Sequence, residues 1–296
     1  MNLIGSILRK IRLVTFNVLG KINPKIVARI MYFEAHRKLM NLKNPTNLDE
    51  KINWMKFNTN TSKWSILADK YEVRNYISDL DLDYILNTVY EVVDSPDDID
   101  LSKLPKSFVI KTTNGSGGSQ VLLVKDKTKI NWPEIQQQLN RWLNYNASYL
   151  IAEPHYSKIK SRLLIEKLLE NQGHESLIDY KFHCFNGKVA SCLVCSERIN
   201  GHALKSIYDL DWHQHPEYVL PKYRRSPYIP RPQSLDKMID ICKKLSAGFP
   251  YVRVDLYEID GNPIFSELTF TPAGGYNKTM TFEYLQFLGE HLQLPA

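Results

Sequence analysis

Residues 251–275, YVRVDLYEIDGNPIFSELTFTPAGG, constrain this chain more than any other stretch. Asp260-Gly261 stands between two runs of alternating apolar residues, the strongest local signal for a β-hairpin with a two-residue turn. Alternation predicts Arg253, Asp255 and Tyr257 on one face of the first strand and Val252, Val254 and Leu256 on the other. On the return strand it sets Phe265, Glu267 and Thr269 against Ser266, Leu268 and Phe270. Such a hairpin can bring Asp255 and Glu267 side by side. Two carboxylates facing each other in a sheet repel unless a cation sits between them. A small set of hard oxygen ligands suits Mg²⁺, which completes its shell with water and phosphate. The alternative is a surface hairpin with two solvated acids.

A second informative stretch is SFVIKTTNGSGGSQVLLVKD, 107–126. A β-rich run, Phe108–Lys111, enters a loop with Gly115, Gly117 and Gly118, and another run, Val121–Val124, leaves it. Glycines there let backbone N–H groups approach phosphate oxygens, and Lys111 adds a nearby charge. No GK[ST] and no following helix are present, so this is not a Walker A loop. The alternative is a plain hairpin. Downstream, IDYKFHCFNGKVASCLVC (178–195) predicts two strands joined by an Asn186-Gly187 turn, with Lys181 inside an apolar strand. A buried lysine needs an anionic partner or gives up its proton. The four cysteines, Cys184, Cys192, Cys195 and Cys242, read as small core residues rather than a metal site or a disulfide framework. Helices are expected near residues 2–19, 24–40, 47–57, 65–77, 132–147 and 235–245, the fourth carrying Asp69, Lys70 and Arg74.

The net charge of +6 is placed unevenly. Residues 1–40 hold eight Lys/Arg and one acid, which leaves 30 basic and 31 acidic residues beyond (38 less 8, 32 less 1). A nearly neutral body argues against a nucleic-acid surface. Two readings fit the basic segment. It is either a helical hairpin packed on the body, with Ile26, Val27, Ile30, Met31 and Phe33 inward, or an amphipathic element resting on an anionic membrane. No apolar run reaches the ~20 residues that span a bilayer. No small-residue cleavage site follows, and the expectation is a cytoplasmic protein, with the inner membrane face as a peripheral location.

The order of these pieces carries more than each alone. NPTNLDEKINWMKF (44–57), ADKYEVRNYI (68–77), LPKSFVIKTTNGSGG (104–118), DYKFHCFNGK (179–188) and RVDLY…SELTFTPAGG (253–275) together resemble the TupA-like group of the ATP-grasp superfamily. The resemblance runs from about residue 42 to the end. It implies an α/β (α+β) ATP-grasp fold, two α+β subdomains clamping a nucleotide, with N-terminal helices. The expected division is a basic helical segment at 1–44, a reduced pre-grasp region at 45–105, a lid subdomain at 106–170 and a C-terminal subdomain at 171–296.

The resemblance also implies residue roles. Lys111 would contact the α- and β-phosphates of ATP, beneath a flap containing Ser116, Gly117 and Gly118, while Lys70 and Lys181 face the polyphosphate. Glu166 and Lys167 would open the adenine-facing segment, with backbone groups near Leu168 and Leu169 reading the base. Either Glu170 or Glu175 is left for the ribose. Asp255 and Glu267 would hold Mg²⁺, and Thr269 stands where the superfamily's usual asparagine ligand is expected. Arg253, with Lys181, would stabilise the transferring phosphoryl group. The implied activity is an ADP-forming carboxylate–amine ligase that joins an amino acid or other amine donor to a bacterial surface polysaccharide such as a capsule, O-antigen or teichuronopeptide. The acceptor would be a glycan, a nucleotide-sugar or a lipid-linked sugar. The aromatic region 208–231, with Arg224, Arg225 and Arg231, would suit sugar stacking and carboxylate binding. The alternatives are a glycan kinase on the same fold and a non-catalytic nucleotide-binding subunit.

Overall fold

The structure, a computed structural model, describes residues 3–115, 120–170, 177–199, 202–223 and 227–295. Its contacts divide the chain into two units. The first comprises Met1–Ser65, Asn146–Lys158 and Phe270–Ala296, the second Ile66–Tyr145 and Ile159–Thr269.

In the first unit, α1 (Leu3–Ile22) and α2 (Pro24–His36) form an antiparallel pair broken at Asn23, whose side chain accepts from Lys25 N at 3.1 Å. The buried face of α2 is Val27, Ala28 and Tyr32, with Met31 and Ala35 beside them. Ile26, Ile30 and Phe33, expected inward, are exposed. Two apolar stripes compete on this helix, and the one bearing the small Ala28 packs more closely against the cluster holding Phe16 and Leu19. α3 (Leu48–Asn58) starts at Asn47, whose side chain accepts from Glu50 N at 3.0 Å, and Glu50 reaches back to Thr46 N at 3.0 Å. Loop 271–277 is tied to α3 by buried polar side chains. Lys56 Nζ donates to Gly274 O at 2.8 Å, Asn53 to Gly275 O at 2.9 Å, and Asp49 accepts from Asn277 N at 2.7 Å. Burial pulls the Lys56 ammonium down to about 7, against the opposing charges of Glu153 and Asp49. α8 (Phe282–His291), capped by Thr281, completes the unit and packs on α3.

The second unit begins within α4 (Ser62–Ala68). The single helix expected over 65–77 is split there, and α5 (Val73–Ser78) follows only after a turn at Asp69–Glu72. Asp69 Oδ1 accepts from Tyr71 N and Glu72 N at 2.8 and 3.1 Å, offering the backbone a local alternative to helical pairing. Lys70 therefore stands on a turn, not on a helix.

Two antiparallel sheets make up most of this unit. Strands β1 (Val89–Val93), β2 (Phe108–Thr112), β3 (Val121–Val124) and β4 (Leu163–Glu166) pair in the order β1-β4-β2-β3. α6 (Trp132–Leu143) covers their apolar face through Leu139, Trp132, Ile135 and Trp142, over Phe108, Ile110, Leu163 and Ile165. β5 (Asp179–Phe185), β6 (Lys188–Ile199), β7 (His202–Tyr208), β8 (Val252–Ile259) and β9 (Asn262–Thr269) pair in the order β7-β6-β5-β8-β9, backed by α7 (Leu235–Ser246). Both predicted two-residue turns form, with positive φ at Asn186 and Gly187 (46° and 80°) and at Asp260 and Gly261 (51° and 71°), the conformation that favours glycine at the second position.

One detail of the second hairpin departs from strict alternation. From the turn, Ile259 pairs with Asn262 and the ladder continues to Leu256 opposite Phe265. A bulge then admits Ser266, and pairing resumes with Asp255 opposite Glu267 and Arg253 opposite Thr269. Phe265 accordingly joins Leu256 on the buried face, not Glu267 as alternation predicts. Without the bulge, the turn would oppose Ser266 to Asp255 and put Glu267 on the other face.

Candidate functional site

The centre of β5, β8 and β9 gathers charges that the sequence scatters from Asp179 to Glu267. Lys181 lies opposite Asp255 in the β5/β8 ladder, and its Nζ donates to Asp255 Oδ2 at 2.6 Å, with Asp179 Oδ1 at 3.5 Å. Arg253 grips the same carboxylate in a fork, Nε to Oδ1 at 2.6 Å and Nη2 to Oδ2 at 2.7 Å. Its Nη2 also lies 3.4 Å from Glu267 Oε1 and 3.2 Å from Thr269 Oγ1, and Thr269 donates to Glu267 at 3.2 Å. Lys70 Nζ approaches the other Glu267 oxygen at 3.4 Å and donates to Gly115 O. The glycine-loop stem, the turn before α5 and the hairpin thus meet at one lysine. Lys70 N pairs with Thr113 O at 3.0 Å, which fixes the turn to the end of β2.

Lys70, Lys181 and Arg253 face Asp179, Asp255 and Glu267, so the cluster is balanced in charge. Burial opposes the charged forms throughout. Asp255 nevertheless raises the Lys181 and Arg253 ionisations above their ordinary ranges. Burial raises the Asp255 carboxyl, with Arg253 and Lys181 pulling it back. Glu267 goes the other way: burial would raise it, but Lys70, Lys181 and Arg253 together hold it at about 2.

The two carboxylates differ in reach. Asp255 is wholly buried, and each oxygen lies within 2.7 Å of a cationic nitrogen. The Glu267 side chain is 27 % exposed and its nearest contacts are 3.2–3.4 Å. These hard oxygen donors fit a divalent cation, with Glu267 directly accessible and Asp255 available once Lys181 or Arg253 turns to another anion. Among the described residues no group of three or more His, Cys, Asp or Glu side chains is arranged for a metal. An ion here would complete its shell from water and phosphate.

A second pair lies on the four-stranded sheet. Lys111 Nζ is 2.5 Å from Glu166 Oε2, and Arg74 Nη1 is 3.9 Å from Glu166 Oε1. Glu166, expected to face adenine, is buried against these two cations. Lys167 has its backbone engaged, its N–H to Thr88 O and its carbonyl from Asn87 Nδ2, both at 2.9 Å. Leu168 and Leu169 follow it, half-buried, and Glu170 is exposed. Ser116, Gly117, Gly118, Glu175, Arg224 and Arg225 lie outside the described residues. Arg231 is paired with Asp236 at 2.7 Å. Of the aromatics expected to stack on sugar, Tyr208 and Trp212 are buried against each other, centroids 4.4 Å apart, and Trp212 Nε1 donates to Ile229 O. Tyr228 remains largely exposed.

Sequence reasoning missed two members of the surroundings. Arg162 bridges Asp69 at 3.4 Å and Glu72 at 2.8 Å, securing the turn that carries Lys70. His183 pairs with Arg253 in the β5/β8 ladder, and its Nδ1 lies 2.9 Å from Tyr251 Oη. Its place two residues after Lys181 on one strand was the available signal.

Burial first, and then Arg253, push His183 down from its ordinary 6.5 to about 3. As pH falls through 6.5 the unfolded chain takes up this proton and the folded chain does not. The stability gained from a neutral His183 is therefore complete above 6.5 and lost on the way down to 3. Between pH 7 and 5 the wild type should lose about 2 kcal/mol more than His183→Phe, at about 1.36 kcal/mol per pH unit below 6.5. Urea unfolding at the two pH values measures the difference; equal losses would exclude this assignment.

The sequence model of the TupA-like ATPgrasp family matches residues 50–293 of the chain. No curated protein matches. Among solved structures, the chain is similar to a D-alanine–D-alanine ligase from Bacillus anthracis complexed with ATP, at 15 % identity over 77 % of this chain and 65 % of that one, TM-score 0.46. It is also similar to a D-alanine–D-alanine ligase from Helicobacter pylori (17 % identity, 77 % and 62 %, TM-score 0.43) and to an L-amino acid ligase from Bacillus licheniformis (14 % identity, 76 % and 49 %, TM-score 0.46). The chain spans less than two thirds of the length of each of these three.

Proposed function

Because this chain belongs to the TupA-like ATP-grasp family, we propose that it is an ATP-dependent carboxylate–amine ligase. The observation that supports this most is the juxtaposition of Asp255 and Glu267 on adjacent strands, ringed by Lys181, Arg253 and Lys70. Such a balanced cluster suits a polyphosphate that arrives with its own cation. Asp255 and Glu267, with Thr269 beside them, would hold Mg²⁺, which when bound neutralises the phosphate oxygens.

The chain's own residues then have distinct tasks. Lys111 is one strand-end away from the glycine loop and is released to an α- or β-phosphate oxygen when it leaves Glu166. Lys70 and Lys181 exchange carboxylate partners for phosphate oxygens. Arg253 spans Asp255, Glu267 and Thr269, and its remaining donor capacity can follow charge developing on the transferred group. A substrate carboxylate oxygen attacks the γ-phosphorus, the bond to the bridging oxygen breaks, and ADP leaves. An amine then attacks the acyl carbon of the acyl phosphate, phosphate departs with the bonding pair, and the amine loses a proton to give the amide.

The acceptor in this reading is a sugar of a bacterial surface polysaccharide, free, nucleotide-linked or lipid-linked, and the donor an amino acid or another amine, with the protein in the cytoplasm. Among the described residues of 208–231, Tyr228 is the exposed tyrosine available for a sugar ring. The expected products are ADP and phosphate, formed only when both amine and carboxylate are present. AMP as product would overturn the acyl-phosphate route, and ADP without an amine requirement would favour a kinase. Mass spectrometry of the producing strain's surface polysaccharide, with and without the protein, should show a difference of one amino-acid residue.

A further inference from the structure

α1 carries its main apolar stripe outward. Leu8, Ile11, Val14, Val18 and Ile22 recur at helical spacing, and all are at least half exposed. The helix is held instead along a narrow seam of Phe16, Leu19 and Gly20. A Cβ at Gly20 would lie 2.1 Å from Tyr149 O, so the seam is close and α1 cannot roll to bury the stripe. On α2, Ile26, Ile30 and Phe33 are likewise exposed.

These two stripes share a side. At about 100° per residue, the α1 stripe sits roughly a third of a turn from the edge of Arg12, Phe16 and Leu19 that meets α2. The α2 stripe is displaced from Val27, Met31 and Glu34 by about the same angle and in the same sense. The Arg12–Glu34 ion pair, 2.6 Å, closes the hairpin as antiparallel, and equal displacements on antiparallel helices point the same way.

The surroundings are cationic. Lys10, Lys21, Lys25, Arg29, Arg37 and Lys38 are exposed. The one acid of the first forty residues, Glu34, is engaged by Arg12. No helix among the described residues is long and apolar enough to cross a membrane. We propose that the outer face of the α1–α2 hairpin docks on an anionic lipid bilayer and lies in its interface, the apolar stripes among the acyl chains and the surrounding cations at the headgroups. A second copy of the chain would bury the stripes but bring the same cations against one another, which argues for the bilayer.

The test uses the full chain with vesicles of phosphatidylcholine alone and of phosphatidylcholine with phosphatidylglycerol, pelleted at low and high salt. The expected result is sedimentation with the phosphatidylglycerol vesicles that falls with salt. Val14→Ser/Val18→Ser and Lys21→Glu/Lys25→Glu/Arg29→Glu should each lower the partition by about tenfold or more. The first should leave the melting temperature unchanged, because both positions are exposed, and the second should lower it only slightly, because Lys21 and Lys25 give up ring contacts at 5.8 and 5.9 Å with Tyr149 and Phe57. No sedimentation, or sedimentation that neither variant lowers, would overturn the proposal. So would a dimer in vesicle-free sedimentation velocity that the Val14→Ser/Val18→Ser variant dissociates, which would assign the face to a second copy.

Discussion

Glu267→Gln is expected to weaken Mg²⁺-dependent ATP binding by about a hundredfold and to cost only about 1–2 kcal/mol of stability. Glu267 is the reachable carboxylate: its contacts are 3.2–3.4 Å and more than a quarter of its side chain meets solvent. Glutamine keeps the shape and an oxygen for Thr269 and Arg253, but loses the charge a divalent ion requires. The cations that hold the carboxyl at about 2 would lose a partner, yet solvent at this edge screens much of that loss. Calorimetric titration of ATP with and without Mg²⁺, beside urea unfolding, separates the two effects. Unchanged Mg²⁺ dependence would remove Glu267 from the metal site.

Asp255→Ala should behave differently, losing about 3–5 kcal/mol of stability along with nucleotide binding. Asp255 is fully buried and neutralises two cations at once, Arg253 through a fork and Lys181 at 2.6 Å. Without it, Arg253 retains Glu267 at 3.4 Å and Lys181 retains Asp179 at 3.5 Å, distances too long to offset burial of both charges. Asp255→Asn should fall between, since the amide oxygen still accepts one hydrogen bond. Urea midpoints for the three proteins give the order. If Asp255→Ala proves no less stable than Glu267→Gln, the distinction between a buried and a reachable carboxylate fails.

What could be read from the sequence was local or carried by order. Asn186-Gly187 and Asp260-Gly261 announced their turns because few residues other than glycine adopt positive φ cheaply. Lys181 announced an anionic partner because an apolar strand offers no other way to keep its charge. Long-range competition was not legible. α2 has two apolar stripes, and only packing in the cluster with Met40, Ala152 and Tyr276, beside Phe16 and Leu19, decides which is buried. The helix expected through Lys70 breaks because the Asp69 side chain finds two backbone donors. Tyr208 and Trp212 looked like ligand-facing aromatics but stack on one another, a contact that composition does not encode.

The bulge at Ser266 turns into a rule of parity for this hairpin. Across a two-residue turn, directly opposed residues are separated by an odd number of positions, as Ile259 and Asn262 are. Asp255 and Glu267 are twelve positions apart (267 less 255), an even number, and still oppose one another. An extra residue between them is therefore already written in the spacing of turn and carboxylates. In any relative with a two-residue turn here, an even interval calls for an unpaired residue and an odd interval for none. Counting positions alone then tells whether the hairpin needs a bulge to turn both acids into one basin.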